Sequence, residues 1–188
     1  MLLLIDNFDS FSHILADLIR QTDEELLILR NDVSLKELAQ IDFKGLILSP
    51  GPGRPADAGN MTQIFKKYYT KVPVLGVCLG HQAIGEFFGA KLVKSPFPVH
   101  GKVFSVKKTK PHIFTDSLPD QFHVTRYHSL QLEDMPESLK VILETENGDV
   151  MAMAHKELPI LGIQYHPEAH LTEFGLEIVK NWVVNSIR

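Results

Sequence analysis

The sequence predicts an α/β fold: a single domain spanning residues 1–188, built on a mainly parallel open sheet with helices on both faces. Three observations lead there. Short apolar runs alternate with amphipathic helical stretches over the first half of the chain, the pattern of strands joined by crossover helices. After Ala90 the pattern changes to closely spaced short strands, which implies antiparallel ribbons and a return to the main sheet. The residues that carry chemistry all fall just past apolar runs, where open α/β sheets place their ligands.

The elements follow in order. Leu2–Ile5 reads as a buried strand, and Ser10–Gln21 as a helix capped by Asp9 or Ser10. Glu25–Arg30 is the next strand, Ser34–Gln40 a short helix and Gly45–Leu48 a third strand. A helix is expected around Asn60–Tyr69, then the strand Val72–Val77 and a helix beginning after Cys78. In the second half, strands are expected at Lys91–Lys94, Lys102–Val106, His123–Arg126, Lys140–Glu146, Met151–His155 and Ile160–Tyr165. Phe174, Ile178 and Trp182 recur at helical spacing, so Phe174–Ile187 is a final amphipathic helix.

The chain has one cysteine, Cys78, within Gly76-Val77-Cys78-Leu79-Gly80. A strand leads in and a helix leads out, which is the arrangement of a nucleophile elbow with cysteine in place of serine. The flanking glycines make physical sense, because side chains in so sharp a turn would clash with the neighbouring strand and helix. The turn also places the sulfur at a helix N-terminus, which favours a thiolate. Alone, the motif does not separate a nucleophile from a small buried cysteine.

A cysteine nucleophile needs a base within reach, and the base needs a group that orients it. His166-Pro167-Glu168, at the carboxyl end of the Leu161–Tyr165 run, supplies both. Pro167 biases His166 away from helix and stiffens the segment. A third segment, Ser49-Pro50-Gly51-Pro52-Gly53-Arg54-Pro55, follows the Gly45–Leu48 strand, and its prolines forbid helix. Proline has no N–H, which leaves Gly51 and Gly53 as unobstructed donors. Acyl transfer needs two donors aimed at the developing oxyanion, and the N–H groups of Gly51 and Leu79 are assigned that role.

These residues resemble the class I (triad-type) glutamine amidotransferases. Ser49-Pro50-Gly51-Pro52-Gly53, Gly76-Val77-Cys78-Leu79-Gly80-His81-Gln82 and His166-Pro167-Glu168 match that family's three main motifs in order. Asp6-Asn7-Phe8-Asp9-Ser10-Phe11, His100-Gly101-Lys102 and Arg126-Tyr127-His128-Ser129-Leu130 narrow the resemblance to the free-standing glutaminase subunits of anthranilate and aminodeoxychorismate synthases. It runs from Leu2 to the C-terminus. One departure is Ala169, where these subunits usually have serine.

The resemblance implies L-glutamine as substrate and Cys78, His166 and Glu168 as the catalytic triad. Gly51, Pro52, Gly53, Gln82, Ser129 and Leu130 would hold the substrate, largely through main-chain groups. It also implies a partner, a chorismate-using synthase subunit, which raises the glutaminase activity. The partner would dock at the rim formed by Ala169-His170 and Pro96-Phe97-Pro98. The reaction needs no metal or organic cofactor. Two other readings use the same residues: a γ-glutamyl peptidase-like cysteine hydrolase, and a catalytically silent binding module of the same fold.

Composition fits an ordinary soluble domain, with 44% hydrophobic and 22% charged residues and a net charge of −4. Basic residues are dispersed, which argues against nucleic acid. With one cysteine no internal disulfide can form, consistent with a cytoplasmic location. No stretch approaches the length of a membrane span. Of the nine histidines, His166 and His170 have metal-like spacing, but Pro167 breaks the helix that such ligation would need. His81 and His128 read as structural, and His13, His112, His123 and His155 as surface or core residues.

Overall fold

The computed structural model describes residues 1–96 and 98–188. In chain order the elements are β1 (Leu2–Asp6), α1 (Ser12–Arg20), β2 (Leu26–Arg30), α2 (Leu35–Leu38), β3 (Gly45–Leu48), α3 (Met61–Tyr68), β4 (Val74–Val77) and α4 (Leu79–Phe88). Then come β5 (Lys91–Lys94), β6 (Lys102–Lys108), β7 (Gln121–Arg126), β8 (Leu130–Glu133), β9 (Leu139–Thr145), β10 (Val150–His155), β11 (Ile160–Ile163) and α5 (Gly175–Ser186). A short 3-10 turn, Pro55–Asp57, follows the proline-rich segment.

One sheet of nine strands, ordered β2-β1-β3-β4-β11-β10-β9-β6-β7, organises the molecule, and β5 and β8 form a separate ribbon. The pairs from β2 across to β11 are parallel. From β11 to β7 every pair is antiparallel. Apart from the β5–β8 ribbon, the second half therefore extends the parallel sheet with antiparallel strands.

The parallel strands are buried on both faces, so they read as continuous apolar runs rather than alternating ones. Their side chains still divide by period two. Leu2 and Leu4 pack on the face covered by α1 and α5, with Leu15, Ile19, Ile178 and Trp182. Leu3 and Ile5 pack on the face covered by α2, α3 and α4, with Leu38, Ile64, Phe65 and Ile84. Helices lie on both faces, as the sequence predicts.

Several boundaries differ from expectation. The residue at the α1 cap is Phe11, which offers no side-chain cap, rather than Asp9 or Ser10. The Asp9 carboxylate instead accepts the Phe11 N–H at 2.7 Å, and the Ser12 hydroxyl is drawn to Asp6 at 2.6 Å. Those bonds close the β1–α1 loop before the helix starts. The strand expected to run to Tyr165 ends at Ile163, and His166 follows in a turn closed by Ala169 N–H to His166 carbonyl at 3.2 Å. β8 has no counterpart in the predicted strands, although Leu130-Gln131-Leu132-Glu133 alternates as a half-buried strand should.

Candidate active site

β3, β4 and β11 are neighbours in the parallel part of the sheet, and each delivers one piece of the site from its carboxyl end. Ile163 of β11 lies in register with Val77 of β4. His166 therefore emerges beside the Cys78 elbow although the two are far apart in sequence.

Cys78 has φ +50 and ψ −97, a strained conformation for a residue with a side chain. It is held from both sides: its N–H donates to the Ile163 carbonyl at 2.7 Å, and its carbonyl accepts the Gln82 N–H at 3.0 Å. The glycines around it are required by contact. A Cβ at Gly76 would sit 2.6 Å from the main-chain carbonyl of Gly80, and one at Gly80 would collide with the Leu48 carbonyl oxygen of β3. The elbow packs backbone against backbone, which only glycine permits.

His166 Nδ1 and Glu168 Oε1 are 2.6 Å apart, and the Glu168 side chain is fully buried. Glu168 Oε2 has no hydrogen-bond partner among the described residues, so His166 is the group that balances this carboxylate. The main chain here is pinned: Thr172 Oγ1 donates to the His166 carbonyl at 2.8 Å, and His166 N–H donates to Thr125. A Cβ on Gly175, the first residue of α5, would collide with the Pro167 carbonyl, so α5 starts directly against this loop. Phe11 and Tyr127 pack edge-on against the His166 ring, with centroids 5.1 and 5.0 Å away.

Burial opposes charge on His166, but its hydrogen bonds and proximity to Cys78 and Glu168 outweigh burial and push its pKa up to about 10. The neighbouring Cys78 and Glu168 side chains thus favour the protonated imidazole.

The proline-rich segment is anchored by Asn7. Its N–H donates to Ser49 Oγ and its amide to the Ser49 carbonyl, each at 2.9 Å, and its Oδ1 accepts from Asn31 at 3.1 Å. A Cβ on Gly51 would press to 2.5 Å from the Leu79 side chain and 2.6 Å from Asn7. Gly51 therefore sits hard against the elbow. Gly53 has φ +74 with open space around it.

A cavity of about 230 Å³ opens on Cys78, lined by Gly51, Pro52, Gly53, Gln82, Tyr127, His128, Ser129 and Leu130. Every substrate-binding residue expected from the sequence lies in this lining, and Leu79 opens α4 next to Cys78. Gln82 does face the cavity, but its amide is engaged, donating to the Leu130 carbonyl at 3.2 Å and to Gln164 Oε1 at 3.1 Å. Gln164 has no local signal in the sequence, whereas Phe11 and Tyr127 fall within quoted motifs but have no assigned role there. Of the expected docking rim, His170 is exposed while Ala169 is 9% exposed. Phe97, in the other part of that rim, lies outside the described residues. No group of three or more metal-ligating side chains occurs among the described residues.

His81 is fully buried beside Gly162, and burial pushes its pKa down to about 3. Burial, followed by the charge of Arg126, pushes His128 down to about 4. Both histidines protonate near pH 6.5 once unfolded. Between there and pH 4 the unfolded chain therefore binds more protons than the folded one. Stability should fall as pH drops through this window, by about 1.4 kcal/mol per pH unit for each histidine at full linkage. His166 adds nothing to the slope there, because its raised pKa makes its contribution complete below about 6.5. Urea denaturation from pH 7 to pH 4.5 checks this, and a flat profile would refute the neutral, buried state of the two rings.

With this geometry in place, comparison with known proteins is decisive. The sequence model of the family "Glutamine amidotransferase class-I" matches residues 3–186. The chain belongs to the class-I glutamine amidotransferases. Among curated relatives, it is 44% identical over 187 residues to an anthranilate synthase component 2 of Azospirillum brasilense, covering 97% of this chain and 95% of that protein. An anthranilate synthase component 2 of Cyanophora paradoxa is 41% identical, with 97% and 98% covered. The aminodeoxychorismate/anthranilate synthase component 2 of Bacillus subtilis is 38% identical, with 97% and 95% covered. Among solved structures, a putative GMP synthase subunit from Thermoplasma acidophilum superimposes with a TM-score of 0.86 at 26% identity, covering 97% of this chain and 92% of that one. In this amidotransferase no helix among the described residues is long and apolar enough to cross a membrane.

Proposed function

We propose that this amidotransferase is the glutaminase subunit of a chorismate-using synthase, and that it hydrolyses L-glutamine through Cys78, His166 and Glu168. The observation that carries the reading is the convergence of a strained Cys78, a His166–Glu168 pair at 2.6 Å and a polar cavity on three adjacent strand ends.

The Cys78 thiolate attacks the side-chain amide carbon of glutamine, and the carbonyl electrons move onto oxygen. The N–H groups of Gly51 and Leu79 stabilise that oxyanion. His166 gives its proton to the departing nitrogen, the C–N bond breaks, and ammonia leaves behind a glutamyl thioester. Neutral His166 then takes a proton from water, whose oxygen attacks the thioester, and glutamate departs as the thiolate–imidazolium pair is restored. Glu168 holds the imidazole in one tautomer and stabilises its charge. Gly51, Pro52, Gly53, Gln82, Ser129 and Leu130 hold the substrate.

The ammonia needs an acceptor site, and residues 3–186 match the amidotransferase family model. Free ammonia is mostly protonated at cytoplasmic pH, so direct transfer to a second chain preserves the reactive form. Similarity to anthranilate synthase component 2 proteins supports a chorismate-using partner, and the two-product name of the Bacillus subtilis relative supports service to more than one synthase. An intact triad speaks against a silent binding module, and the Gln82 and Ser129–Leu130 wall against a γ-glutamyl peptidase.

The partner is expected to raise glutamine turnover at least tenfold by ordering the segment around Gly51. Co-purification with candidate synthases, followed by product identification from chorismate and glutamine, tests this. An isolated chain that turns over glutamine as fast as every mixture would refute the dependence on a partner.

A further inference from the structure

We infer that Asp149, Arg126 and His128 form a positioning relay that sets the Ser129–Leu130 wall of the cavity and thereby glutamine affinity. The inference rests on the reading of that cavity as the glutamine site.

The wall needs such a device because of where it lies. Arg126 ends β7, the edge strand of the large sheet, while Leu130 begins β8, which among the described residues pairs only with β5 in the ribbon. The main chain from Tyr127 to Ser129 crosses between the two sheets and inherits its geometry from neither ladder. Among the described residues it is tied by the Ser95 N–H donating to the Ser129 carbonyl at 2.8 Å and the Val99 N–H to the His128 carbonyl at 3.2 Å.

The relay supplies the remaining constraint. His128 Nδ1 lies 2.7 Å from the Leu130 carbonyl, which can only accept, so this nitrogen carries the hydrogen. Its Nε2 therefore presents a lone pair, which accepts the Arg126 Nε–H at 3.0 Å. The tautomer is dictated at both ends by groups that do not change protonation state. Behind the ring, Arg126 Nη1 donates to Asp149 Oδ2 at 2.9 Å, and its guanidinium stacks over Phe104 at 4.6 Å. The Leu130 carbonyl also accepts from Gln82, so two donors from different elements hold that peptide in one orientation.

Packing alone does not explain this arrangement. The Arg126 side chain is 3% exposed, and removing a guanidinium from water costs more than an apolar residue filling the same space. The long reach of arginine and its fixed fork serve to place a partner, here the His128 ring. Asp149 sits on the β9–β10 hairpin, outside the lining of the cavity, and balances the charge. Burial of His128 keeps the ring neutral at working pH, which the donor–acceptor pattern demands.

The test uses the full chain with its synthase partner. Asp149→Asn keeps the side-chain shape and removes the charge that holds Arg126. It should raise the KM for glutamine about tenfold while kcat stays within twofold and iodoacetamide alkylates Cys78 at the wild-type rate. His128→Phe should raise KM further, and His128→Asn, which restores a donor to the Leu130 carbonyl, should recover part of the loss. Melting temperatures separate misfolding from misplacement, and Asp149→Asn, at a partly exposed site, is the variant least exposed to that failure. If wild type hydrolyses glutamine and both Asp149→Asn and His128→Phe keep its KM, the relay is overturned and the glutaminase reading stands. If wild type with its partner leaves glutamine intact, the reading beneath it falls as well.

Discussion

Replacing Cys78 by alanine is expected to remove glutamine hydrolysis, by on the order of 10⁴-fold or more, while leaving the fold in place. The change deletes one heavy atom from a residue that is 7% exposed, and the bonds that hold the elbow belong to the main chain. Alanine tolerates the strained φ about as well as cysteine, so stability should move little. The variant also tests what raises the His166 pKa. Without the sulfur, His166 loses one of the two partners that hold its pKa near 10, while burial continues to depress it. Its imidazole should then titrate well below 10 by NMR. A mixture of Cys78→Ala with the synthase should still make product from ammonium salts but not from glutamine. Substantial glutamine turnover by Cys78→Ala would overturn the mechanism.

The second large effect concerns the division of labour between His166 and Glu168. His166→Ala should cost roughly as much as loss of the nucleophile, because members of a triad act as a unit. Glu168→Ala should be milder by about two orders of magnitude, since the carboxylate orients and stabilises but exchanges no proton with substrate. The structure sharpens this expectation. Glu168 contacts His166 through one oxygen, and the imidazole keeps other constraints, with Phe11 and Tyr127 packed edge-on against it. Steady-state kinetics of both variants with the partner present decide the matter, and a greater loss in Glu168→Ala than in His166→Ala would reverse the assigned roles.

Legibility varied along the chain for identifiable reasons. β3 and β5 matched the expected bounds, and β4 and α4 nearly so, because apolar runs edged by glycine or proline, or lysine-edged ones, carry their own limits. The start of α1 was misplaced because Asp6 and Asp9 spend their carboxylates on closing a loop rather than capping a helix. β8 is absent from the predicted strands because a four-residue run carries too short an alternation to stand out. The Tyr127–Leu130 wall of the cavity was legible as a motif, but the reason for its shape was not. Arg126 and His128 stand two apart in one motif, but Asp149 comes from the β9–β10 hairpin, and no spacing in the chain announces that it meets them.

The sequence by itself determined the chemical parts. A cysteine between glycines, a proline-stiffened histidine with its carboxylate and a glycine between prolines are each written in a few adjacent residues, because each depends on local backbone geometry. Only the tertiary structure decided that the parts form one site. The return of β11 alongside β4, with Ile163 opposite Val77, carries His166 to Cys78, and the neighbouring β3 brings Gly51 against Leu79. That register is set by ladder hydrogen bonds and by burial on both faces of the sheet, and these act between segments that share no local signal.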